Sequence, residues 1–312
     1  MLCALVMVGC GGRGNSKANA FQPHHFPSMP EPPAVITEPN EATEYVLSNY
    51  WNEFLAKAYP CDSGIVNGVP ADEVEKAFGT YVTLLERGCG IDFGRKAMAG
   101  FFDKVEKFEA ADTSTNVFEF FEEMVPKYLY DPNSPVRNED LYLPYVSRLA
   151  VSDYVDPDMK PAYDHDAQMC SLNMIGSPAA DFTFTDLGGK RHTLYGVKAE
   201  TTLLFFTNPG CPACKEIIES LTSDGKIADL VASGRLAVVN VYIDEELDKW
   251  RENASVYPKN WYNGYDQSYI IRSDVTYNVR AIPSLYVLDS EKKVIMKDAP
   301  VENVLPYLDN LK

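Results

Sequence analysis

The chain has 312 residues, of which 46% are hydrophobic and 23% are charged, a composition that can build a packed interior and excludes wholesale disorder. Lysine and arginine number 28 against 45 aspartates and glutamates, so the formal net charge is −17. A surface this acidic repels phosphate backbones, which excludes nucleic acid as a partner, and the length predicts about two domains.

The N-terminus resembles a bacterial lipoprotein signal. Residues 2–9 are apolar but form a run shorter than the roughly 20 residues that a membrane-spanning helix needs. The run ends in Met7-Val8-Gly9-Cys10, which resembles a lipobox, although no lysine or arginine precedes it. The resemblance implies lipidation at Cys10 and a membrane tether in the cell envelope, facing the periplasm, with residues 11–40 as a flexible spacer. An ordinary cleaved signal, or an apolar terminus without a targeting role, remains an alternative.

Residues 41–172 are predicted to form an all-α domain, because their apolar residues recur at spacings of three and four. An aromatic stripe over residues 45–55 predicts the first helix. A second helix follows Pro70, a residue that suits the first helical position, and ends before Gly88. Further helices are predicted over residues 96–109, 115–130 and 139–152. Aromatic stripes at helical spacing indicate a core rather than a ligand site, so this half offers no candidate chemistry.

Residues 173–312 show the pattern of an α/β domain. Phe182 and Phe184 alternate with threonines, and a hairpin turn is predicted at residues 187–190. Strands are predicted over residues 201–207, 236–243, 284–288 and 293–297, and helices over residues 245–254 and from residue 301. The alternation of strands and helices indicates a sheet that is covered by helices.

The chemical signal of the chain is Cys211-Pro212-Ala213-Cys214, at the junction of a predicted strand and helix. Free N–H groups and the positive end of the helix dipole at Cys211 favour a thiolate, so we predict that Cys211 is the nucleophile. Cys214, one turn later, is predicted to resolve the mixed disulfide that Cys211 forms with a substrate. An inert disulfide remains an alternative, but it would be strained in so short a turn. No second cysteine pair or histidine pair accompanies the motif, so we expect no metal and no cofactor.

Residues 171–311 resemble the thioredoxin-like superfamily, in particular the membrane-anchored TlpA/ResA-type thiol-disulfide oxidoreductases. The resemblance is carried by the strand over residues 203–206 that leads into the cysteine pair, by Ala281-Ile282-Pro283-Ser284, and by the strands that follow. It implies a thioredoxin-like fold, a mixed sheet flanked by helices, and a cis Ile282–Pro283 peptide beside the redox pair. Ile282, Pro283 and Pro212 would then border a groove for an extended substrate segment. An ordinary trans proline at the start of an edge strand is the alternative.

The arrangement of the two halves also resembles two-part lipoproteins of Bacteroidetes-type bacteria, in which a helical domain of unassigned function precedes a thioredoxin-like one. Two positions depart from many thioredoxins, since Phe205 and Gly210 stand where a buried acid and a tryptophan are usual. The aromatic residues of segment 250–277 either border the groove or cover the sheet. Cys61 and Cys89 either form a disulfide or remain buried thiols, a choice that the sequence leaves open.

These features predict a membrane-tethered periplasmic thiol-disulfide oxidoreductase. Its expected partners are protein disulfides or dithiols and an upstream thiol reductant, and reduction of the substrate is the direction that the family implies, with oxidation as the alternative. A thiol peroxidase is a second possibility, although such enzymes carry a threonine three residues before the reactive cysteine, where this chain has Asn208. A third is a non-enzymatic envelope lipoprotein whose helical half binds a partner or glycan.

Overall fold

The structure is a computed structural model, and it describes residues 21–311. The predicted lipidation residue, Cys10, therefore lies outside the described residues. Within the part of the chain that is described, none of the helices combines the length and apolar character needed to cross a bilayer.

The N-terminal half is a bundle of helices around an aromatic core. Its helices are α1 (Pro39–Asn49), α2 (Ala71–Gly88), α3 (Ile91–Ala111), α4 (Val117–Leu129), α5 (Glu139–Leu149) and α6 (Lys160–Cys170). Trp51 lies in the core, with its ring centroid 4.9 Å from that of Phe101 and 5.2 Å from that of Phe121. Burial of such large side chains supplies much of the hydrophobic stabilisation of the bundle.

The helices differ from the prediction mainly at their ends. α1 ends at Asn49. Trp51 and Phe54 are buried in the core, but they belong to the turn that follows the helix and not to the helix itself. α3 begins before the predicted residue 96, and α6 is a helix that the apolar pattern does not predict.

A short hairpin interrupts this half. Its strands are β1 (Ile65–Val66) and β2 (Val69–Pro70), which pair in antiparallel fashion. The turn residues Asn67 and Gly68 have φ angles of 46° and 80°. Two successive left-handed residues are what the tightest hairpin turn needs, and Asn-Gly is the pair that adopts them most readily.

The C-terminal half is a seven-stranded mixed sheet flanked by helices, which confirms the predicted fold class. The strands are β3 (Thr183–Asp186), β4 (Arg191–Thr193), β5 (Thr201–Phe206), β6 (Leu236–Tyr242), β7 (Tyr262–Tyr265), β8 (Ser284–Leu288) and β9 (Val294–Met296). They lie in the order β4-β3-β7-β6-β5-β8-β9, with β7, β6 and β5 parallel and β8 antiparallel to β5. The sequence predicts β5, β6, β8 and β9 and the hairpin turn between β3 and β4, but it does not predict β7.

Helices cover the central strands and position the cysteine pair. They are α7 (Pro212–Ser223), α8 (Gly225–Ala232), α9 (Leu247–Asn253), α10 (Ile270–Ser273) and α11 (Val301–Asp309). Leu203 and Phe205 of β5 belong to the core that includes residues of α7, α8 and α11, whereas Leu204 and Phe206 belong to the core on the opposite face. The apolar run of β5 is therefore a central strand that is buried on both sides, and it leads directly to the start of α7.

Candidate active site

Cys211 occupies the N-cap of α7, where the chain turns from β5 into the helix. Gly210 has a φ of 106°, a conformation that an L side chain rarely adopts, and Pro212 occupies the first turn of the helix, where its missing N–H is not needed. The Cys211 sulfur accepts a hydrogen bond from the backbone N–H of Cys214, with an N···S distance of 3.1 Å. This sulfur is half-buried and takes the place of the oxygen that usually caps a helix.

Cys214 lies one turn further along α7 and has a different environment. Its side chain is 1% exposed and packs into the core between α7 and the sheet. Burial raises the pKa of the Cys214 thiol to about 12, and its interaction with Cys211 contributes to the rise. The two sulfurs are present as free thiols, one accessible and one sequestered.

The structure brings the segment that contains Pro283 next to Cys211. The Ile282–Pro283 peptide bond is cis, as the family resemblance implied. The carbonyl oxygen of Ile282 accepts a hydrogen bond from the Cys211 thiol over 3.9 Å. Ser284, the residue after Pro283, pairs with Phe206 at the end of β5. Ile282 and Pro283 are half-buried, and Pro212 is exposed beside Cys211.

A buried polar network lies below the loop that joins β5 to α7, and the sequence analysis missed it. The Thr207 hydroxyl contacts the side-chain oxygen of Asn240 and lies 3.2 Å from the hydroxyl of Tyr257. Because an amide oxygen can only accept, Thr207 donates to Asn240 and Tyr257 donates to Thr207. The amide of Asn240 in turn donates to Asn263 over 3.0 Å. A polar Asn240 inside the apolar run of β6 was the signal that could have revealed this network.

Tyr257 connects that network to the cysteine pair. Its side chain is 4% exposed, and it packs in a cluster with Trp250 and Tyr265 that also contacts Ile218, one turn after Cys214 on α7. Burial raises the pKa of Tyr257 to about 12, and the nearby cysteine sulfurs add to the rise. Tyr257 is thus a polar group close to the pair, in a structure where Phe205 replaces the buried acid of many thioredoxins.

The aromatic segment after β6 mainly covers the sheet. Five of its aromatic side chains are at most 8% exposed: Trp250, Tyr257, Trp261, Tyr265 and Tyr277. Tyr262 is 38% exposed. Burial therefore favours the interpretation that most of these rings form a core, with Tyr257 alone turned towards the buried polar network.

The remaining candidate groups take no part in this arrangement. Cys61, Cys89 and Cys170 are free thiols, so the structure contains no bridge between Cys61 and Cys89. Over residues 21–311, no three or more histidine, cysteine, aspartate or glutamate side chains are arranged to hold a metal ion.

Comparisons with known proteins find a family model and solved structures that are similar to this chain. The model of a family described as a domain of unknown function, DUF5106, matches residues 12–173. The chain is similar to the crystal structure of a thioredoxin-like protein from Bacteroides caccae, with 33% identity and a TM-score of 0.76 over 90% of this chain and 97% of that chain.

Shorter solved structures match part of the chain. The C-terminal domain of an uncharacterized protein from Bacteroides fragilis is 45% identical, with a TM-score of 0.42, over 44% of this chain and 97% of that chain. A domain of a possible thiol-disulfide isomerase from Cytophaga hutchinsonii is 25% identical, with a TM-score of 0.37, over 44% of this chain and 92% of that chain. No curated protein matches the chain significantly.

Proposed function

Because this chain belongs to the DUF5106 family and carries a thioredoxin-like C-terminal domain, we propose that it is a thiol-disulfide oxidoreductase that acts through Cys211 and Cys214. One observation carries the proposal. The sulfur of Cys211 caps α7 and accepts the N–H of Cys214, whereas Cys214 itself is buried. A helix N-terminus favours negative charge on the capping sulfur, and only the thiolate is a nucleophile.

The exchange follows from the difference between the two sulfurs. The thiolate of Cys211 attacks a substrate disulfide, forms a mixed disulfide and releases one substrate thiolate, which takes up a proton. Cys214 then gives up its proton and attacks the sulfur of Cys211, which breaks the mixed disulfide and releases the second substrate thiol. Two electrons pass from the Cys211/Cys214 dithiol to the substrate, and an external dithiol must reduce the pair before the next cycle.

The surface next to Cys211 suits an extended protein segment. Pro212, the residue after Cys211, is exposed, and the half-buried Ile282, whose carbonyl oxygen contacts the Cys211 sulfur, is followed by the half-buried Pro283. Segment 281–283 lies outside the strands, so its backbone is free of the sheet pairing that begins at Ser284. An extended substrate can hydrogen-bond to such a segment while its disulfide faces the sulfur. This supports protein disulfides as the substrate class.

We propose that the chain reduces its substrates and is held in the cell envelope by a lipid on Cys10, facing the periplasm. Reduction requires a potential closer to that of thioredoxin, about −270 mV, than to that of the oxidant DsbA, about −120 mV, and equilibration with glutathione measures it. Anchoring at Cys10 predicts that Cys10→Ala moves the protein from the membrane fraction to the soluble fraction. Recovery of the unaltered protein in the soluble fraction would contradict the anchor.

Reduction of insulin tests the proposed activity. The protein should accelerate the precipitation of insulin by dithiothreitol, and Cys211→Ser should abolish the acceleration. Failure of the unaltered protein to accelerate precipitation would refute the proposal, and consumption of hydrogen peroxide with a thiol donor would point instead to a thiol peroxidase.

A further inference from the structure

A buried ionic cluster joins the helical half to the thioredoxin-like domain. The helical half contributes Arg137 and Glu139, and the other domain contributes Arg280, Lys297 and Asp298. The Glu139 carboxylate lies 3.0 Å from Nε of Arg280 and 2.8 Å from Nζ of Lys297, and the side chains of Glu139 and Lys297 are each 1% exposed. Because a buried charge is tolerated only when it is compensated, these groups depend on one another across the domain junction.

The cluster holds the backbone on both sides of Pro283. Glu139 accepts hydrogen bonds from Asn278 over 2.9 Å and from Arg280 over 3.0 Å, both on the N-terminal side. On the C-terminal side, the hydroxyl of Ser284 donates to Asp298 over 2.6 Å. Segment 274–283 contains neither helix nor strand, so these side-chain contacts replace the backbone ladder that would otherwise fix it.

Arg280 is held mainly by the helical half. Its guanidinium carbon lies 4.0 Å from the centroid of the Tyr130 ring, and its Nε donates to Glu139. Its third contact, to Asp298, is longer, at 3.4 Å. Stacking on an aromatic ring together with a charge-assisted hydrogen bond fixes the direction as well as the position of a guanidinium.

We infer that the helical half positions the Pro283 segment against Cys211, and that Glu139 is the positioning residue. The inference rests on the proposed function and assigns a role to the helical half within it. Arg280 and Ser284, which the cluster holds, lie two residues on either side of Ile282, whose carbonyl oxygen is 3.9 Å from the Cys211 sulfur. A carbonyl dipole at that distance acts on the charge of a thiolate, so displacement of the segment changes the reactivity of Cys211 as well as the shape of the groove.

Glu139→Gln tests the inference, with Asp140→Asn as the matched control. Asp140 is the next residue of α5, its side chain is 0% exposed, and it pairs with Arg95 and accepts the N–H of Ile175 over 3.2 Å. Both substitutions therefore neutralise a buried carboxylate at the domain junction, but only Glu139 contacts the segment of Pro283. The readout is the rate of iodoacetamide alkylation of Cys211 against pH in the reduced full-length chain, followed by mass spectrometry, with thermal unfolding measured in parallel.

We expect Glu139→Gln to change the alkylation rate of Cys211 at neutral pH about tenfold and to move its pH profile. Asp140→Asn should leave the alkylation rate and its pH profile unchanged to within about twofold, even if its thermal unfolding midpoint falls as much as that of Glu139→Gln. An unchanged profile in Glu139→Gln, or equal changes in the two variants, would overturn the inference.

Arg280→Lys keeps the test decisive if Glu139→Gln does not fold. Lysine retains the charge at this position but loses the planar Nε donor and the stacking on Tyr130. The alkylation profile should move in this variant too, and an unchanged profile would overturn the inference. Alkylation requires no turnover, so failure of the protein to reduce insulin would refute the proposed function without altering the result on Cys211.

Discussion

The burial of Cys214 predicts a large difference in reactivity between two thiols that are three residues apart. Burial raises the pKa of Cys214 from the usual 9.0 to about 12, which lowers its thiolate fraction at neutral pH about a thousandfold. Its side chain is also only 1% exposed, so a reagent reaches it slowly even when the thiolate forms. Cys211 is only half-buried at the start of α7, so a reagent reaches its sulfur more easily.

Alkylation by iodoacetamide measures this difference in two matched variants. In Cys211→Ser, which loses the contribution of Cys211 to the rise, the peptide that contains Cys214 should still be labelled at least about a hundredfold more slowly in the native protein than in guanidinium chloride. In Cys214→Ser, the native protein should be labelled readily at Cys211. Burial, the main cause of the high pKa, persists in Cys211→Ser. Native labelling of Cys214 within about tenfold of the denatured rate would refute the assignment of a sequestered, protonated second cysteine.

Three further predictions concern packing, hydrogen bonding and pH. At Gly264 an added Cβ would lie 2.8 Å from a backbone oxygen, so Gly264→Ala should lower the free energy of unfolding in urea by about 1–3 kcal/mol. Gly100→Ala, in open space on α3, should raise that free energy by up to about 1 kcal/mol, and similar effects in the two variants would contradict this packing. Tyr257→Phe removes a buried hydroxyl that donates to a neighbouring side chain and should lower the free energy of unfolding by about 1 kcal/mol, so an unchanged value would count against the hydrogen bond. The hydrogen bond from the N–H of Phe26 lowers the pKa of the Glu73 carboxyl. The stabilisation from this bond is therefore fully present above the ordinary glutamate pKa of about 4.3, and it is lost as the pH falls through the lower pKa that Glu73 has in the folded protein. The rate of pepsin cleavage before α1, divided by the cleavage rate of an unstructured reference peptide at the same pH, should therefore rise on acidification in the unaltered protein but not in Glu73→Gln, and equal rises in both would exclude Glu73 as the cause.

The position of the cysteine pair at the start of a helix is predictable from the sequence because its geometry is local. The spacing of Cys211 and Cys214 puts both sulfurs on one helical turn, and the preceding apolar run predicts the strand that leads to them. The cis bond before Pro283 was reached only through the family resemblance, since spacing alone does not distinguish cis from trans. The expectation that this segment lies beside the cysteine pair therefore came from the resemblance.

The parts that the sequence did not predict depend on contacts between distant residues. Thr207 and Tyr257 are 50 positions apart, and Glu139 and Arg280 are 141 positions apart. Neither pair has a local pattern, because each side chain finds its partner only when the sheet and the helical half are assembled. A buried polar residue is costly without such a partner, so polar residues inside apolar runs are the most useful signal for finding these networks.

β7 was missed for a related reason. Its sequence, Tyr-Asn-Gly-Tyr, is short and has no apolar run, and it contains Gly264, a residue type that is rare in strands. The absence of a side chain at Gly264 lets this strand approach Phe184 and Thr185 of β3, which would otherwise lie 2.6 and 2.8 Å from its Cβ. Packing between strands thus overrides local preference at this position.

Trapping of the mixed disulfide on full-length Cys214→Ser measures the assigned roles of the two sulfurs most directly. Reaction with a peptide that contains one disulfide should leave a stable adduct of the peptide mass on Cys211, visible in the intact mass of the protein. Cys211→Ser should form no adduct, and the unaltered protein should release the reduced peptide and retain a Cys211–Cys214 disulfide. Equal adducts on the two variants, or none on Cys214→Ser while Cys211 remains open to alkylation, would contradict the proposed exchange.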